Sequence, residues 1–403
     1  MKRRRVKITG IGPVTPAGIG REDFWRGILS GQSFIRPYRK LGEEAGAFCA
    51  AYINVPDIKT NLGGFDVPKG TSRQALLAAV GARLALTDAG LIVGQISTKN
   101  CGIVIGSSLL DFGGIGSAID SVNKRGPRAA QARVVYTATL TSVSEIVARV
   151  CGVEGKSLSV QTSCCAGMDA IGQAFRMVSS GEIDIAICGG TEAPLHKFPM
   201  LELRAAGLTP LSSEMSDRIA RPFDLWRTTG VVSEGACILV LEPEESPRPG
   251  YAFVAGYGTA NDQPDDLCSG LVDSANSAFA DAFIRPMQID VINAWGPGHR
   301  LIDEAEAKSM KNVFGARLPG VAAFSLKGAV GSALGAAPAI QVGASALALA
   351  SGVIPGTVNW QFPDPSCPLN ISGRVREIQH RFDLVNAHGV GNVNASIVLQ
   401  QCS

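Results

Sequence analysis

Histidine is scarce in this chain, four in 403 residues. His196 and His380 have no cysteine or carboxylate partners at metal spacing and His299 reads as a loop residue, so no metal site is expected. Charge is also sparse: 18% of residues are charged and the formal net charge is +2, which leaves no basic field for nucleic acid. The KRRR cluster at 2–5 runs directly into a strand at Val6 and reads as a solvated terminus. The ten cysteines show no CxxC spacing and no signal-peptide pattern precedes them, which argues against a disulfide framework and for a reducing, cytoplasmic setting. The most apolar stretch, 335–354, is built from small residues, includes Pro338 and Gln341 and lacks aromatic anchors, so it reads as a buried helix and not a membrane span. The GxG at Gly10 and Gly12 lacks a third glycine and a following acidic strand, which removes a dinucleotide site.

What is present is a large apolar fraction, 46%, with 47 glycines, as expected of a compact α/β protein able to bury a wide core. Strands at 101–108, 157–160, 184–190, 290–296 and 323–328, with Val160 to Thr162 reading as the end of a buried strand, alternate with helices at 71–91, 140–151, from Ala166 onward, 272–284 and 303–313. That order predicts a mainly parallel sheet with helices on both faces. Proline and charge concentrate at 243–250, the best boundary, separating a half at 1–245 from one at 250–403. The halves share a grammar that suggests a duplicated unit, although the sequence alone does not establish it.

The stretch VQTSCCAGMDAIGQAF, from Val160, places Cys164 between a strand and an amphipathic helix in which Met168, Ile171, Phe175 and Val178 recur at helical spacing. A thiol at the first turn of a helix faces free N–H groups, which can lower its pKa from about 8.5 toward neutrality and make it a nucleophile. A small buried hydrophobe fits the same stretch.

Together with RRVKITGIGPVTPAG, RPFD at 221–224, SEGA at 233–236, NAxG at 293–296 and the GxG around Gly389, this stretch resembles the β-ketoacyl synthase family of the thiolase superfamily over essentially the whole chain. The resemblance implies a thiolase-like five-layer αβαβα fold, usually dimeric. It also implies a cysteine that takes an acyl chain from an acyl carrier protein, presented as a phosphopantetheine thioester, with no other cofactor bound. Cys164 stands at the family's nucleophile, Lys327 at its lysine and Glu306 at its buried acid. By the same match the backbone N–H groups of Val390 and Cys164 would form the oxyanion hole.

Both family histidines are replaced, by Trp295 and by Ser332, and the pantetheine-loop threonines by Pro297 and His299. An indole and a hydroxyl cannot exchange a proton near neutral pH, and proline has no N–H. His388, where the family usually has phenylalanine, offers either a relocated base for Cys164 or a filler with one backbone hydrogen bond. Two functions follow from the resemblance. One is a chain-length-factor-like subunit that partners a true β-ketoacyl synthase in a polyketide or fatty-acid pathway; GPGHRLIDEAEA and GAAPAIQ are more similar to that branch. The alternative is an acyltransferase, or atypical condensing enzyme, using Cys164 with His388 as base, for which a homodimer would suffice.

Overall fold

The computed structural model describes residues 3–62, 65, 67–93 and 100–402. The first half contributes strands β1 (Val6–Thr15), β2 (Cys101–Gly106), β3 (Ser157–Val160), β4 (Ile185–Glu192) and β5 (Gly235–Pro243), and helices α1 (Arg73–Asp88), α2 (Thr141–Cys151) and α3 (Ala166–Ser180). The second contributes β6 (Ala252–Asn261), β7 (Val291–Asn293), β8 (Ala322–Phe324), β9 (Phe382–Gly389) and β10 (Val393–Gln401), with α4 (Gly270–Asp281), α5 (Arg300–Phe314) and α6 (Ala337–Ser351). Strand order is β3-β2-β4-β5-β1 in one and β8-β7-β9-β10-β6 in the other, the same topology repeated. In each, two pairings are parallel and two antiparallel, so four strands run one way and only β5 or β10 runs against them; each half-sheet is mainly parallel, as the sequence predicted, with one reversed strand. The halves join where β1 pairs antiparallel with β6, Val6 opposite Val254 and Ile8 opposite Ala252.

Five layers result. The third helix of each half, α3 and α6, packs into a middle layer between the half-sheets, while α1 and α2 cover one outer face and α4 and α5 the other. Alternation along β5 shows why its sequence is a continuous apolar run: Cys237, Leu239 and Leu241 face the middle core, and Ile238 and Val240 the outer one. The long apolar stretch becomes α6, buried in the middle layer as expected. One expectation fails. β3, read as buried, is an open edge with Leu158 45% exposed. The arginines after Lys2, which lies outside the described residues, stay partly solvated but are also tied down: Arg3, Arg4 and Arg5 pair with Asp281, Asp184 and Glu244, and Arg3 and Arg5 also cover the rings of Phe175 and Phe253.

The C-terminal end of α6 is clamped to β9 by His380, whose Nε2 donates to the Ala348 carbonyl at 3.0 Å and whose Nδ1 meets Asp383 Oδ1 at 2.6 Å. Burial acts to lower the His380 pKa, but Asp383 and the Ala348 carbonyl outweigh it and hold the imidazole above its ordinary value. Burial pushes the Asp383 carboxyl up to about 6. Both groups bind protons more tightly folded than unfolded. Their stabilisation therefore fades as pH rises, for Asp383 between about 4 and 6 and for His380 from about 6.5 upward. Between about pH 6 and 9 the thermal midpoint of the wild type should fall more steeply than that of His380→Gln. Equal slopes would mean that the folded pair holds no extra proton.

Candidate active site

After β3 the chain enters a tight turn in which Ser163 takes a left-handed backbone, φ 51°. Cys164 follows, and Cys165 caps α3, so the thiol stands at the helix N-terminus as the pattern predicted. It is half-buried against the middle core. Burial pushes its pKa above the ordinary thiol value; the Val390 N–H and the Ser163 hydroxyl, 4.0 Å away, pull the other way without reversing the shift. The expected drop toward neutrality is therefore not found, because lost hydration outweighs the helix end. Val390 lies close enough for its backbone N–H to act on the thiol's pKa, while its side chain is exposed.

His388 does not join this group. Along β9, Val385 and Ala387 face the middle core, and a Cβ on Gly389 would sit 3.0 Å from the Cys164 nitrogen. Alternation thus sends His388 to the opposite face with Leu384 and Asn386. There its Nδ1 donates to Asn394 Oδ1 at 3.0 Å, and Asp262 Oδ2 lies 3.8 Å away. A relocated Cys-His pair is excluded by strand parity. The imidazole instead fills a buried polar niche.

The loop after β7 holds Trp295 in the middle core. Glu306, one turn and a half into α5 and fully buried, accepts the Trp295 and Gly296 N–H groups, each at 2.8 Å. Asp303, on the same helix face three residues earlier, accepts from the Gly298 and Phe223 amides at 3.1 and 2.7 Å. Lys327 Nζ donates to the Trp295 carbonyl and, at 3.3 Å, to Gln341 Oε1, and it lies 3.5 Å above the indole. Burial pulls its pKa down to about 7 against the attraction of Glu306 and Asp303, and burial pushes Glu306 up. Ser332 is half-buried, its backbone stitched to Val231 and Ser233. Pro297 is buried, and His299 starts α5 with Nδ1 buried and without a partner among the described residues. Burial and the neighbouring Arg227 hold His299 below its ordinary pKa.

Cys164, Val390, Lys327, Trp295 and Glu306 thus form one cluster, with no imidazole in it. The sequence reading missed Asp303 and Glu192. Their signals were the i, i+3 spacing of Asp303 and Glu306, and the GGTEA that ends β4. Glu192, whose carboxyl burial pushes up to about 7, takes hydrogen bonds from Ser107, Ser108, Leu109 and Gly335 beside the thiol.

The profile of the beta-ketoacyl synthase N-terminal domain matches residues 3–246, and that of the C-terminal domain residues 251–361. The chain belongs to the β-ketoacyl synthase family. It is 30% identical over 414 residues to 3-oxoacyl-[acyl-carrier-protein] synthase 2 of Coxiella burnetii, covering 100% of this chain and 99% of that protein. It is also 30% identical to the tetracenomycin polyketide synthase ketoacyl synthase alpha subunit of Streptomyces glaucescens, covering 96% and 94%. Among solved structures, the ishigamide ketosynthase/chain length factor superposes with a TM-score of 0.92 at 29% identity, and a type II PKS acyl-carrier protein complex with its ketosynthase bound to the hexaketide with 0.91 at 28%; both cover 100% of each chain. This is a ketosynthase-type protein of fatty-acid or polyketide biosynthesis with the thiolase-like fold.

In this ketosynthase site Glu306 holds the loop that carries Trp295. Glu306→Ala leaves two buried amides without acceptors and should lower unfolding stability by about 2–5 kcal/mol in a denaturant titration, with Glu306→Gln retaining part of it. A loss below about 1 kcal/mol would show that the loop stands without the carboxylate.

Proposed function

We propose that this ketosynthase-like chain serves as a chain-length-factor-like subunit beside a true β-ketoacyl-ACP synthase. The observation that carries this reading is the cluster around Cys164. By the sequence resemblance Trp295 and Ser332 take the family's histidine positions; His388 faces away, and Lys327 is held by the Trp295 carbonyl and ring. A well-placed acid or base contributes about 10²–10⁴-fold, or about 3–5 kcal/mol, and on this reading decarboxylative condensation would lack two such groups. The likeness to a ketosynthase/chain length factor pair supports the same reading.

A partner surface fits it. The outer edge of β3 is open, and Ser159 donates to the Leu140 carbonyl, which brings the short helix Val134–Thr137 to the same rim. Leu158 is 45% exposed beside unpaired strand N–H and C=O groups, and Val135 and Tyr136 of the short helix are 71% and 74% exposed. A second ketosynthase-fold subunit adding its own edge strand would cover both. The acyl carrier protein would then deliver its thioester to the partner's complete site.

One observation favours the acyltransferase reading: Val390 follows Gly389, where a Cβ would sit 3.0 Å from the Cys164 nitrogen, so the amides that would form an oxyanion hole lie near the thiol. No imidazole base stands with them among the described residues. In the reconstituted two-subunit complex, Cys164→Ala should leave the rate and chain length of product within about twofold of wild type, measured by mass spectrometry of carrier-bound products. A loss of about a hundredfold or more, with a thioester mass on wild-type Cys164 after exposure to acyl-carrier thioesters, would favour acyl transfer instead.

A further inference from the structure

The turn that carries Cys164 is held from behind by a carboxylate. Asp169, in the first turn of α3, is 7% exposed and accepts hydrogen bonds from the Thr162 hydroxyl on Oδ2 and from the Tyr257 hydroxyl on Oδ1 at 2.8 Å. Thr162 lies two residues before Cys164. Tyr257 belongs to β6, in the other half, and its ring lies so close across α3 that a Cβ on Gly172 would sit 2.5 Å from it. Arg176, one turn and three residues further along α3, stands over that ring, 4.9 Å from its centroid.

One carboxylate therefore ties together the residue entering the turn, the helix leaving it and a strand of the opposite half. Packing alone does not hold this place. A pocket of about 460 Å³, open to solvent, lies against the turn, lined by Thr162, Asp169, Gln173, Tyr257 and Asn261 among others, so side chains pack the chain on one side only there. Ser163, between Thr162 and Cys164, keeps its φ of 51°, a conformation that non-glycine residues hold when their surroundings impose it. Directional hydrogen bonds to a buried carboxylate are a restraint of that kind, strengthened by the low dielectric.

We infer that Asp169 is the positioning residue of the Cys164 turn, acting through Thr162 and anchored on Tyr257, and that it keeps the thiol against the Val390 amide. Through Tyr257 the geometry of the thiol depends on the seam between the two halves. The inference rests on Cys164 occupying the nucleophile position, and not on what the thiol does in a two-subunit complex.

Alkylation of Cys164 in the full chain by iodoacetamide at about pH 8, with peptide mass spectrometry to separate it from the other cysteines, tests this. Thr162→Val and Tyr257→Phe should each slow the reaction about tenfold, the order expected for one hydrogen bond to a charged group, because the thiol loses its amide contact. Thr162→Ser, which keeps the hydroxyl, should react at the wild-type rate. Thermal midpoints recorded in parallel separate positioning from general loosening. An unchanged or faster rate overturns the inference, whatever the midpoint does, and so does a slow Thr162→Ser. Should Thr162→Val fail to fold, Tyr257→Phe, which preserves the ring packed on Gly172, carries the test. Because the readout is the free thiol with a small reagent, it stands or falls independently of product formation by the complex.

Discussion

Close approach of backbones at the head of the middle layer sets the position of everything else in this molecule. A Cβ on Gly167 would sit 2.6 Å from the carbonyl oxygen of Gly335, and one on Gly190 2.8 Å from the same oxygen. α3, β4 and the entry to α6 can meet there only because these residues have no side chains. The turn before α3 is thereby wedged at the seam between the half-sheets, where one thiol is reached from both: by Glu192 at the end of β4, by Lys327 ahead of α6, and by the Val390 amide after β9. Moving either helix outward by the width of a methyl group would separate these groups.

Around that seam the described residues place buried charged groups beside the thiol and no imidazole. Glu306 and Asp303 each hold two backbone amides, and Lys327 is shared between a carbonyl, an amide oxygen and an indole face. Buried charges need such partners or they destabilise the fold. Groups satisfied in this way act as scaffolding. Buried scaffolding of this kind fits the close match of the architecture to solved ketosynthases.

Much of this was legible in the sequence. The strand-cysteine-helix pattern located the turn, the apolar runs located most core strands, and the resemblance located Lys327 and Glu306, which the structure places in one cluster with Cys164. Other features were not. The thiol's raised pKa depends on how far burial outweighs a helix end, which periodicity does not reveal. The pairing of Arg3 with Asp281 joins residues 278 positions apart, so the basic terminus looked free when read locally. Asp169 looked like one more polar position on an amphipathic helix, because Tyr257 approaches it from the other half.

What the sequence determined by itself is the set of local elements and the place of the cysteine turn between strand and helix, since each rests on residue type and short-range spacing. What only the tertiary structure decided is the repeated strand order, the one reversed strand in each half-sheet, the open edge of β3 and the direction in which His388 points. Strand pairing and register bring together residues distant in sequence. Once β9 was set in its register, the twofold alternation of side chains along it left Gly389 beside Cys164 and turned His388 away.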